Sequence, residues 1–182
     1  MRENKLVRNL VYVAVGAALL TVCAWISVPT PIPFTLQTFA VCLLAALLGW
    51  RLGLEALLVY VLLGAVGLPV FSGFKSGFGV LLGVTGGYLI GFFFTALVVG
   101  LAAEKLGRKP LVLAVSMALG VLLCYAFGTV WFVRVYTADK GPVSFLSALT
   151  TCVFPYLLPD AAKIALAVFL TRRLRRAIFK DA

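Results

Sequence analysis

Apolar residues run in long unbroken stretches along this chain, separated by short polar, proline-rich or glycine-rich breaks. The first stretch covers residues 10–28 and stops at Pro29, Pro31 and Pro33, whose fixed φ and missing N–H forbid regular helix. A shorter stretch follows at 36–49 and ends at Gly49-Trp50-Arg51; a third, 53–67, ends at Leu68-Pro69. Beyond a glycine-rich loop carrying Lys75 come stretches at 79–103, 110–133 and 145–172, the last containing Pro155 and Pro159. Apolar–polar alternation, the mark of a membrane β-barrel, is missing, and the continuous runs predict spanning helices. The predicted fold is all-α integral membrane. A single transmembrane domain, 1–182, holds six helices at 10–28, 36–49, 53–67, 79–103, 110–133 and 145–172. The second stretch is short for a crossing and is expected to tilt or to begin inside the bilayer.

Composition strengthens this picture. Of 182 residues, 63% are hydrophobic and 12% charged, and the mean hydropathy is +1.13. A soluble domain needs more polar surface than that. The net charge of +10 does not mark a nucleic-acid partner, because the cations sit in small clusters between apolar runs. Their distribution sets orientation instead. With both termini cytoplasmic, the inner segments hold Arg2, Lys5, Arg8, Arg51, Lys105, Arg108, Lys109, Arg172, Arg173, Arg175, Arg176 and Lys180; the outer loops hold Lys75, Arg134 and Lys140. Both ends inside requires an even number of crossings, which agrees with six. The N-terminal cations and Cys23 faintly imitate a secretory signal, but Val22 stands where a cleavage box needs a small residue. A retained first helix is expected, in the plasma or inner membrane of a prokaryotic cell.

Two ionisable residues fall within a span. Asp160 and Lys163 are three apart and share one helical face. Counted back from Arg172 at about 1.5 Å per residue, they lie roughly 18 and 14 Å deep, near the middle of a hydrocarbon core about 30 Å thick. A charge there is costly unless paired or set in a polar cavity. Three readings follow: an internal pair that locks the bundle, a pocket completed by a ligand, or a proton relay. Pro155 and Pro159 favour the pocket, since they free carbonyls one turn above the pair.

Other candidates gather toward the outer side. Gly79, Gly83, Gly87 and Gly91 recur every four residues and predict a smooth packing face. Within that stretch Thr85, Gly86 and Tyr88 place a hydroxyl, bare backbone and a phenol together. Thr35 and Gln37 adjoin Phe34, although Gln37 would serve equally to cap the second helix. Phe71, Tyr125 and Trp131 are aromatic candidates, with Trp131 also suited to the interfacial belt. Ala14 and Ala18 form a small-x-x-x-small surface on the first helix. The four cysteines lie in or beside apolar runs and read as small buried hydrophobes. There is no histidine, so no metal site is expected. No Walker A sequence is present and no hydrolase motif, so the chain is expected to have no cofactor, no ATP site and no enzymatic activity of its own.

Five segments together carry a family likeness: Pro33-Phe34-Thr35-Leu36-Gln37, Gly67-Leu68-Pro69-Val70-Phe71, Gly83-Val84-Thr85-Gly86-Gly87-Tyr88-Leu89, Tyr125 with Gly128, Thr129 and Trp131, and Pro159-Asp160 with Lys163. In this order they resemble the BioY family, the biotin-specific S components of energy-coupling-factor (ECF) transporters. The resemblance implies a six-helix S-component-like bundle that holds biotin in its outward half, with Asp160 and Lys163 in the pocket. It implies docking through Ala14 and Ala18 to a transmembrane coupling subunit, with two ATPase subunits completing the complex. Some members of the family are thought to work without these partners. Val84 stands where the family usually has proline, which implies a less kinked entry to the fourth helix. Two alternatives to a biotin-capturing subunit stay open: a structural or assembly membrane protein, and a solo proton-coupled carrier.

Overall fold

The computed structural model describes residues 2–30 and 32–178. Pro31 of the outer loop and Lys180 of the basic tail lie outside the described residues. The first apolar stretch is helix α1, Arg2–Trp25. The prolines after it force a reversal, and the chain returns through a minimal antiparallel pair, β1 (Ser27–Val28) and β2 (Phe34–Thr35), with Ser27 opposite Thr35 and Val28 opposite Phe34.

Helix α2, Gln37–Ala65, joins the second and third stretches, which the sequence separates into two helices. Its bend is Gly49, at φ 86° and ψ 178°, a conformation that favours glycine. The neighbouring backbone groups are satisfied from α4 (Gly86–Lys105) and the turn that follows it. Trp50 N–H donates to Glu104 Oε1 at 3.3 Å, and Arg108 Nε donates to the Ala46 carbonyl at 2.8 Å. A break with such partners leaves few orphan groups in an apolar setting.

Beyond α2 the chain makes a tight loop, bridged between Phe71 and Lys75, then the short helix α3, Phe78–Leu82. The fourth stretch is therefore α3 and α4, interrupted at an extended Gly83. The entry to α4 is thus broken at Gly83, with Val84 following where the resemblance implies a proline. Trp131 Nε1 donates to the Gly83 carbonyl at 3.0 Å, so the break is stabilised by a side chain from outside the segment. The break also divides the glycine stripe. A Cβ on Gly87 would meet Trp131 and one on Gly91 would meet Cys124, whereas Gly79 faces open space.

Helix α5 is Pro110–Lys140, with its proline at the N-terminal position where a missing N–H costs nothing. The last stretch is two helices, α6 (Phe145–Cys152) and α7 (Phe154–Ile178), broken at Val153. Pro155 opens α7, and Pro159 is carried inside it. In the bundle α4 lies between α2 and α5, while α1 and α7 flank α2. Small residues permit the α4–α5 approach: Gly128 receives the Tyr88 ring and Gly120 receives Thr95.

Among the described residues, four helical segments are long and apolar enough to cross a membrane alone: Lys5–Trp25, Gly86–Lys105, Pro110–Lys140 and Phe154–Ala177. By this measure the expected six is not reached, because the second and third stretches are arms of one bent helix. The arm Gln37–Leu48 is about 18 Å long at 1.5 Å per residue, less than a hydrocarbon core of about 30 Å. The protein is a helical membrane protein, and large side chains such as Leu111, Leu119 and Leu158 project from its surface, as lipid contact requires.

Candidate functional site

Asp160 and Lys163 sit one turn apart on α7 and form an ion pair, Nζ to Oδ1, at 2.7 Å. Each is about 5% exposed (Asp160 5%, Lys163 6%), so neither charge is solvated in the ordinary way. Partners from other elements complete them. Lys163 Nζ donates to the Thr35 carbonyl at 2.6 Å, with Thr38 Oγ1 at 3.5 Å, and lies 3.9 Å from the centroid of the Phe34 ring. Asp160 accepts the Tyr125 hydroxyl on Oδ2 and Thr38 Oγ1 on Oδ1, the latter at 3.2 Å. A buried pair is tolerated when its remaining hydrogen-bonding capacity is met in this way.

The hairpin supplies a second polar layer. Thr35 Oγ1 accepts the Gln37 backbone N–H at 3.2 Å and donates to Gln37 Oε1 at 3.2 Å. Gln37 therefore does not cap α2. Its amide donates to the Tyr60 hydroxyl at 2.8 Å, tying the two arms of α2 together. Tyr156, one turn before Asp160, donates to the Ile32 carbonyl at 2.6 Å and stacks on Phe34 with centroids 5.9 Å apart. It pins the hairpin over α7.

These residues border a cavity that is open on one side. Helix α7, the hairpin and the start of α2 give one wall, with Thr35, Gln37, Thr38, Tyr156, Asp160 and Lys163. Helices α4 and α5 give another, with Tyr88, Leu89, Phe92, Cys124 and Tyr125. Phe71, Ser72, Lys75, Val80 and Thr85 come from the loop before α4 and its surroundings. A lining that is mostly apolar with a few converging polar groups is the usual form of a small-molecule site.

Of the ten residues picked from the sequence, the cavity brings together Thr35, Gln37, Phe71, Thr85, Tyr88, Tyr125, Asp160 and Lys163. Gly86 and Trp131 are not among its lining residues. A Cβ on Gly86 would collide with the Leu81 carbonyl, so this glycine serves the α3–α4 turn. Trp131 packs behind α4, on Gly87 and Phe127. Sequence reasoning passed over Thr38, Tyr156 and Lys75 as site residues. Tyr156 was within reach of it, since a residue four before Asp160 shares its helical face. The four cysteines are free and buried; Cys124 and Cys152 face the cavity. Ala14 and Ala18 are exposed on α1, opposite buried Val13, Ala17 and Leu20.

The cavity lies toward one end of the bundle and the cationic segments toward the other. Near that far end Arg108 is close to Glu104 and Arg175, and its pKa is lowered, first by burial and then by Arg175.

Fold and site together define a class: a helical membrane protein with a small-molecule pocket built around a buried ion pair. The comparisons narrow this further. The sequence model of the BioY family matches residues 1–180, and the chain belongs to that family. It is 42% identical to the biotin transporter BioY of Thermotoga maritima over 93% of this chain and 96% of the relative. It is 39% identical to a probable biotin transporter BioY of Pyrococcus horikoshii, over 90% and 93%. The crystal structure of the S-component for biotin from an ECF-type ABC transporter is similar over 97% of this chain and 95% of that one, with a TM-score of 0.86 at 26% identity.

Proposed function

We propose that this chain is the substrate-binding S-component of an ECF-type uptake system and that its ligand is biotin. It is a transport protein, not an enzyme. The observation that carries the reading is the Asp160–Lys163 pair held at the cavity wall by Tyr125, Thr38 and the Thr35 carbonyl. Biotin offers a ureido ring with two N–H donors and one carbonyl acceptor, a sulfur-containing apolar ring, and a carboxylate on a flexible tail. Asp160 is suited to the ureido N–H groups, and Lys163 to the ureido oxygen. The apolar ring finds Tyr88, Phe92 and Phe71 around the same space.

In this reading the chain crosses a prokaryotic plasma membrane six times, the arms of α2 counting as two short crossings. Both termini are cytoplasmic, and the cavity opens outward, away from the cationic end. Ala14 and Ala18, exposed beside Val11, Val15 and Val22, form the face that docks a transmembrane coupling subunit. Two ATPase subunits supply energy, and this chain holds no cofactor. The test is biotin titration of purified protein carrying Asp160→Ala or Lys163→Ala. Each variant is expected to lose most of its affinity; unchanged affinity in both removes the pair from the site.

A further inference from the structure

The polar groups of the cavity divide into two sets. On the α7 and hairpin side every charged group is partnered: Asp160 and Lys163 by each other and by Thr38, Tyr125 and Thr35. On the opposite side stand Ser72, Lys75 and Thr85. None of these three side chains makes a hydrogen bond or ion pair among the described residues. All three are donors, and one is a cation. A ligand that meets an ion pair already neutralised on one side and free donors on the other is best matched by an anionic group at the donor side. An ammonium and two hydroxyls suit a carboxylate, whose two oxygens accept up to about four hydrogen bonds.

The backbone that carries Lys75 is well fixed although its side chain is exposed. Phe71 N–H donates to the Lys75 carbonyl at 3.1 Å, closing a turn through Gly73 at φ 69° and Phe74 at φ 58°. Phe71 anchors one end of the turn, buried against Tyr60 with ring centroids 5.6 Å apart. Trp25 holds the outside, donating from Nε1 to the Pro69 carbonyl at 2.9 Å and packing on Phe74 at 5.1 Å. Lys75 thus has a defined origin at the cavity rim and a free ammonium.

We infer that Lys75, with Ser72 and Thr85, is the carboxylate subsite of the cavity. The ligand then lies with its ring system against the α7 pair and its acidic tail toward the loop. This rests on the biotin reading given above. It assigns Lys163 to the ring, because that ammonium is already engaged by Asp160 and Thr35. Lys75 becomes the residue that selects an acid over a neutral ligand of the same shape.

The test compares biotin with its primary amide, which is nearly isosteric and uncharged, by titration calorimetry on the purified chain. The wild type is expected to prefer the acid by about tenfold, the scale of one charge-assisted hydrogen bond at a half-open site. In Lys75→Met the preference should fall close to one, and in Lys75→Arg it should return. If biotin binds but the acid preference is absent in the wild type, or persists in Lys75→Met, the subsite assignment is overturned and the biotin reading stands. If neither compound binds the wild type, the biotin reading falls and this inference falls with it.

Discussion

At the scale of residues, the site is a problem in burying charge. Asp160 and Lys163 are tolerable in an apolar bundle only as a pair, and only because Tyr125, Thr38 and the Thr35 carbonyl meet their remaining capacity. Removing one member leaves the other buried without its counter-charge, which costs about 3–5 kcal/mol. Asp160→Ala and Lys163→Ala should therefore each lower Tm in detergent markedly, whereas the double variant should recover part of the loss. Thermal unfolding of the three proteins checks this; equal losses adding in the double variant would mean that the two charges do not compensate each other. The pair was visible in the sequence because charge is rare in a span. Its partner Thr38 was not, because a threonine near a membrane interface is ordinary until the fold aims it.

Among elements, the departures from regular helix do the positioning. Gly49 bends α2 so that Gln37 and Thr38 on one arm and Tyr60 on the other meet at the same site. A Cβ at Gly49 would strike the Glu104 carboxylate, and the positive φ is unfavourable for any side chain. Gly49→Ala should destabilise the protein by about 1–3 kcal/mol, seen as a lower Tm; an unchanged Tm would show that the bend is not constrained. Helix α1 is the element assigned to partner docking. Ala14→Leu is expected to abolish co-purification with a coupling subunit while biotin binding survives, because Ala14 faces outward. Loss of both together would place Ala14 in the fold instead. The apolar stretches themselves were legible from hydropathy. The junctions were not: Gly49 reads as a helix end when its satisfying groups, Glu104 and Arg108, lie more than fifty residues away in the chain. At the entry to α4 the break is secured in the same way, by Trp131 from a distant part of the chain.

Considered whole, the molecule is polarised, with a ligand cavity toward one end and most of its cations toward the other. The proposed topology has six crossings with the cavity outward. Single cysteines introduced at Ser144 and at Ala177, both exposed, should behave oppositely. A membrane-impermeant maleimide should label position 144 on intact cells and position 177 only after permeabilisation. The native thiols interfere little because all four are buried. Labelling of both positions on intact cells would require an odd number of crossings between the cavity end and the tail to be replaced by an even one.

Whether the cavity takes biotin is the point on which the account depends. Calorimetry of the purified, detergent-solubilised chain with biotin, alongside thiamine as a vitamin without its ureido ring, tests it most directly. The account predicts saturable binding of biotin and none of thiamine. Binding of thiamine with no response to biotin, or no binding of either, would contradict it.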